Sequence, residues 1–150
     1  MNLLIYLDAS AVATLYNQAE KFHTQMKESV KLVLENRYKY SFASSEWSLI
    51  EFGVAMKRMG LTIDKTLERL TDVREIAQIE PMQSSWISKA LNFVYKLNLH
   101  SADAQHLAAA ILLGCKVLVS CDKDLLNENV RKEFTVLSPD EFLEFLRHKE

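Results

Sequence analysis

Glycine and proline are scarce in this chain, three and two residues among 150. A many-stranded sandwich or barrel needs such breakers every ten positions or so, which excludes those architectures and leaves helices to dominate. Cysteine is nearly missing too. Cys115 and Cys121 bracket a segment that reads as extended, which sets them roughly 20 Å apart and beyond disulfide reach. Reduced thiols in a cytoplasmic protein are expected. The apolar run at the amino end, Leu3-Leu4-Ile5-Tyr6-Leu7, stops at Asp8. It falls far short of the ~18 residues of a membrane span and has no basic leader or small-residue cleavage site. A soluble, unexported protein that does not engage membranes is the expectation. Charge of one sign is not in excess either: 18 basic against 20 acidic residues give a net −2, which argues against a general affinity for polyanions. What is present is a 49% hydrophobic share beside 25% charged residues. That excludes disorder and predicts a single globular domain over 1–150 with a sizeable core.

The pattern alternates short apolar runs with helical stretches. Leu3 to Leu7 reads as a strand, and Asp8 or Ser10 can cap the helix that follows. Phe22, Met26, Val30, Val33 and Leu34 share one face of a helix from Glu20 to about Arg37, followed by a strand from Tyr40 to Ala43. Ser44 or Ser45 opens a helix to Met59, with Gly60 as its cap. Thr62 opens another to about Glu75, with Ile63, Leu67 and Leu70 as its inner stripe. A weak strand from Ala77 to Ile79 precedes a helix from Ser84 or Ser85 through Leu97, and Ser101 caps the next, whose Leu107 to Leu113 stretch is apolar all round. Val117-Leu118-Val119-Ser120 has the composition of a strand buried on both faces. A short strand from Phe134 to Leu137 leads to Ser138-Pro139-Asp140-Glu141, a capping box with proline at the first helical position. Helices alternating with uninterrupted apolar strands describe an α/β domain around a parallel sheet of about five strands.

Four acidic residues stand in unusual company. Asp8 and Asp122 each follow an apolar strand at its carboxyl end, the edge where open parallel sheets bind ligands. Glu51 has Trp47, Val54 and Ala55 as its helical neighbours, and a buried carboxylate must find a partner or take up a proton. An internal salt bridge is the plain structural explanation. Asp103 opens the most hydrophobic helix, where a first-turn acid complements the dipole. Together the four make best sense converging on a divalent cation that relieves their repulsion, Mg²⁺ or in its place Mn²⁺. With these four and Asp124 set aside as one cluster, 18 basic residues face 15 acidic ones, a balance compatible with an acidic pocket in a mildly basic body.

Leu7-Asp8-Ala9-Ser10, Glu51 within Ser48-Leu49-Ile50-Glu51-Phe52, the run from Ser101 to Ala110, and Val119-Ser120-Cys121-Asp122-Lys123-Asp124-Leu125 resemble the four acidic motifs of PIN-domain ribonucleases, and most of all the VapC-type toxins of toxin–antitoxin modules. The resemblance implies a three-layer fold with a five-stranded parallel sheet in the order 3-2-1-4-5, which sets Asp8 beside Asp122. It implies that Glu51 and Asp103 enter from flanking helices, that Ser10 and Ser120 orient carboxylates or waters, and that Asp124 is an accessory acid. The implied activity is Mg²⁺-dependent endoribonucleolytic hydrolysis that leaves a 5′-phosphate and a 3′-hydroxyl. Asp8, Asp103 and Asp122 are then the metal ligands, and Glu51 acts through water or as a proton acceptor.

Lys57, Arg58, Lys116 and Lys123 are candidate RNA contacts at the rim. The histidines His23, His100, His106 and His148 show no zinc-ligand spacing, and none is assigned a catalytic role. A small antitoxin would mask the cleft, and apolar stripes such as Trp86-Ala90-Phe93 make a homodimer reasonable. Two other readings compete. A PIN-like RNA-binding or interaction module could keep the fold without catalysis, although all four acids are retained. A receiver-like Mg²⁺-binding signalling domain needs an acidic pair after the first strand, where only Asp8 stands.

Overall fold

The computed structural model describes residues 2–148. Its elements run β1 (Leu3–Leu7), α1 (Ala9–Tyr16), α2 (His23–Glu35), β2 (Tyr40–Ser45), α3 (Glu46–Arg58), α4 (Ile63–Ile76), β3 (Ala77–Glu80), α5 (Trp86–Leu97), α6 (Ser101–Leu112), β4 (Val117–Val119), α7 (Glu128–Glu133), β5 (Val136–Leu137) and α8 (Pro139–His148). All strand pairs are parallel and the sheet order is β3-β2-β1-β4-β5, the five-stranded order expected. Strand order reverses at β1, whose Leu7 pairs with Val119 of β4 while Tyr6 pairs with Ala43 of β2.

Side-chain alternation along the strands divides the core into two layers. Ile5, Leu7, Phe42, Val117 and Val119 face α1, α2, α3 and α8, in one cluster with Val12, Met26, Phe52 and Phe142. Tyr6, Ala43 and Leu118 face α5 and α6, in a second cluster with Trp86, Phe93 and Leu107. The buried α6 face, Ala104 to Ala110 among small residues, lets that helix lie close on the sheet. Gly60 and Gly114 end α3 and α6 with φ of +89° and +80°, the left-handed conformation that glycine adopts without strain. Leu61 and Cys115 then return their amides to Met56 and Ala110.

Four expectations are corrected. In α4 the buried residues are Thr66 and Val73, with Leu70 half-buried, whereas Ile63 and Leu67 are 71% and 52% exposed. The helix packs on its neighbours one face further round than the most apolar stripe suggests. In α5, Trp86, Ala90 and Phe93 are core, and the spare apolar face is Ile87, Leu91 and Tyr95. The amino-terminal cap position of α6 belongs to His100, with Ser101 already helical and no side chain capping. A short helix, α7, capped by Asn127 accepting from the Val130 amide, occupies the segment before β5, which is confined to Val136–Leu137. Both cysteines are free, and no helix among the described residues is long and apolar enough to cross a membrane.

Candidate active site

The carboxyl ends of β1 and β4 are joined by side chains. Asp8 caps α1: its Oδ1 accepts from the Ala11 amide at 3.0 Å and the Ser10 hydroxyl at 2.6 Å, and its other oxygen accepts from the Ser120 hydroxyl. Ser120 Oγ in turn accepts from the Asp122 amide at 3.0 Å, and Ser10 Oγ from the Cys121 amide at 2.9 Å. Ser10 in the first turn of α1 and Ser120 just after β4 thus tie the two acidic turns together. Asp8 is buried, which pushes its carboxyl pKa up against the pull of His106 and these hydrogen bonds. Asp122 Oδ1 accepts from the Asp124 amide at 2.8 Å, a turn that brings the two carboxylates to one side.

Asp103, in the first turn of α6, is buried and faces them. Asp103, Asp122 and Asp124 place carboxylate oxygens within 4.8 Å of one another. Burial pushes the Asp103 pKa up to about 7, with the hydrogen bond and charge of Asp122 and the charge of Asp8 adding to the rise. A cluster of hard oxygens held this close, with one member driven towards protonation, is a donor set that can hold a divalent cation. Asp124 completes the set, while Asp8 Oδ1 accepts from Ser10 and Ala11 and its other oxygen from Ser120.

Glu51 has the internal salt bridge that was its structural explanation, with His106 as the partner. His106 Nε2 donates to Glu51 Oε1 at 2.5 Å, and its Nδ1 lies 2.9 Å from the Tyr6 hydroxyl, which donates to Ser45 Oγ at 2.9 Å. Burial opposes charge on the ring, but Tyr6, Glu51 and Asp8 outweigh it and raise the His106 pKa to about 10. The sequence put His106 one helical turn from Asp103 but left it without a role. Its signal was a lone imidazole on an otherwise apolar face, and its partner comes from α3, beyond local spacing.

The basic candidates divide. Lys123 lies between Asp122 and Asp124 in the acidic turn. Lys116 does not reach the rim: it precedes β4, and its amide bonds to the Leu4 carbonyl at the amino edge of the sheet. Lys57 and Arg58 end α3, which starts at the carboxyl end of β2 and runs back along the sheet. At 1.5 Å per residue they stand roughly 10 Å further from the acidic edge than Glu51. The segments that follow the strands carry the acids, and the returning helix ends carry these cations away.

The PIN domain family profile matches residues 5–130. The chain belongs to the PIN-domain family. No curated protein matches it in sequence. Solved structures share the PIN architecture at low identity. VapC20 of Mycobacterium tuberculosis, a Sarcin-Ricin-loop-cleaving toxin, has a TM-score of 0.65 at 16% identity over 81% of this chain and 92% of that one. PAE2754 from Pyrobaculum aerophilum has 0.66 at 18%, over 99% of both chains. VapBC2 from Rickettsia felis, bound to a DNA fragment of its promoter, has 0.68 at 12% over 91% of this chain and 98% of that one. The acidic turns of this PIN domain fall inside the matched span, and the receiver-like alternative is set aside.

Proposed function

We propose that this PIN domain is a metal-dependent endoribonuclease, the toxin of a type II toxin–antitoxin pair working in the cytoplasm. The observation that carries the proposal is the convergence of Asp103, Asp122 and Asp124 at the strand-order switch, with Asp8 tied behind them. Family membership supports nuclease chemistry, and the VapC and VapBC likenesses support the toxin assignment and a small antitoxin as partner.

An all-oxygen donor set suits Mg²⁺, or Mn²⁺ in its place, better than softer metals. Asp103, Asp122 and Asp124 hold the ion in this proposal, with Asp8 contributing charge from behind and Ser10 and Ser120 fixing Asp8. Once bound, the cation supplies Lewis acidity towards the phosphate and makes water a better nucleophile near neutral pH. Glu51 keeps one oxygen free of His106, and that Oε2 takes the proton of the water that attacks phosphorus in line. Lys123 neutralises phosphate charge beside the acids. The bond from phosphorus to the 3′-oxygen breaks, that oxygen takes a proton from solvent, and the products carry a 5′-phosphate and a 3′-hydroxyl.

The test is cleavage of transfer RNA and of hairpin RNAs by purified protein in Mg²⁺ or Mn²⁺. The expected result is cleavage that stops in excess EDTA and falls by at least about 100-fold in Asp122→Asn, whose fold is unchanged by circular dichroism. Cleavage that survives EDTA, or equal rates in the variant, overturns the assignment. An inert wild type with measurable RNA binding favours a non-catalytic module.

A further inference from the structure

The five proposed site acids are not equivalent in their surroundings. Asp103, Asp122 and Asp124 face one another, and Asp8 is satisfied by hydroxyls and an amide. Among these acids Glu51 alone is hydrogen-bonded to a basic side chain, that of His106, itself 3% exposed. Nor is His106 held by Glu51 alone. Its second nitrogen meets the Tyr6 hydroxyl, Tyr6 bonds Ser45, and Ser48 Oγ lies 3.4 Å from the same ring nitrogen. The chain of contacts runs from β1 through the β2–α3 junction to α6. It fixes the imidazole from behind, so the ring presents one N–H to one carboxylate oxygen.

We infer that His106 is the positioning residue for Glu51, clamping its carboxylate at the wall of the pocket so that it serves as a proton acceptor apart from the three converging aspartates. The clamp works by geometry. Glu51 is part-exposed on α3, with a side chain 32% accessible, and an unrestrained glutamate there samples several rotamers, whose loss on ordering costs entropy. A buried, doubly bonded imidazole selects one of them before substrate arrives. It leaves the second carboxylate oxygen for chemistry and withholds Glu51 from the ion cluster. The inference rests on the nuclease reading above.

The test uses His106→Leu, which keeps the volume and loses the N–H, and His106→Gln, whose amide can still donate to Glu51. Glu51→Gln and the double variant Glu51→Gln/His106→Leu complete the set. The readouts are kcat and KM on a labelled hairpin RNA in Mn²⁺. Expected are a kcat loss of at least about tenfold in His106→Leu with KM within about threefold, partial recovery in His106→Gln, and a double variant no slower than Glu51→Gln alone. A residue that merely fills space gives the reverse order, with Leu tolerated and Gln disruptive. Full kcat in His106→Leu, or losses that multiply in the double variant, overturns the inference. A downfield ring N–H proton resonance in wild type that disappears in Glu51→Gln supports the clamp independently of turnover, and its persistence there counts against it. A wild type that cuts no RNA under any metal is failure of the nuclease reading, and it is distinct from active wild type with an equally active His106→Leu.

Discussion

Asp103 shows most directly what the acidic cluster costs the folded protein. Its carboxyl is buried opposite Asp122 and near Asp8, which raises its pKa to about 7 from an unfolded value of ~3.9. The folded state therefore binds this proton more tightly than the unfolded chain, so stability falls as pH rises from about 4 and the full penalty is present above about 7. Asp103→Asn removes the charge with little change of shape. In EDTA it should melt at the same temperature as wild type near pH 4 and higher above pH 7, by on the order of 2 kcal/mol or several degrees. Added Mn²⁺ should reverse the order by stabilising wild type and leaving the variant unchanged. Thermal melts across pH settle it: a difference that does not vary with pH leaves the repulsion without support. The same scale shows the limit of the sequence. Asp8, Asp103 and Asp122 were legible because each adjoins an apolar strand or helix in an unusual place. The pairing of His106 was not, because its partner Glu51 lies 55 residues away on another helix.

At the level of elements, α8 offers the cleanest local test. Glu141 Oε1 accepts from the Ser138 amide at 3.0 Å and hydroxyl at 2.8 Å, closing the capping box, while the Arg131 fork bonds both Glu141 oxygens at 2.9 and 3.0 Å. Arg131 first, and then Ser138, hold the Glu141 pKa down to about 2. A depressed carboxyl contributes stability above its unfolded value near ~4.3, and that contribution is lost as pH falls towards 2. The pair is partly exposed, so its worth is modest and salt-sensitive. Glu141→Gln should lose about 1 kcal/mol in urea titrations at pH 7, less in high salt, with the deficit shrinking as pH falls through about 2. A deficit that is constant with pH points to packing instead. This box was readable from four consecutive residues because capping is local. The phase of α4 was not: Ile63 and Leu67 form the more apolar stripe, yet Thr66 and Val73 face the core, because the packing of α3 and the strand that follows decides which side turns inward. The strands were legible as a group because parallel strands buried on both faces leave continuous apolar runs, as in Val117–Val119.

Across the whole molecule, the sheet separates its acidic carboxyl edge from apolar faces that lie elsewhere. Ile87, Leu91 and Tyr95 are 59%, 51% and 87% exposed along one side of α5, and Met82 extends the patch. The opposite side of the same helix buries Trp86, Ala90 and Phe93 against α6. Single exposed apolar residues are ordinary, but three at successive turns of one helix beside a groove are the pattern of an interface. A second copy of the chain meeting it across a twofold axis would cover both patches at once. If so, Leu91→Glu and Tyr95→Glu should shift the wild-type dimer towards monomer in sedimentation velocity, with circular dichroism and melting temperature nearly unchanged. Trp86→Glu, which puts a charge into the core, should instead lower stability by several kcal/mol. Wild-type protein that sediments as a single chain at every concentration tested rules out self-association through this face. Rates of RNA cleavage that hold steady in the Leu91 and Tyr95 variants would show that the acidic edge works without it, since no acid of the site lies on α5.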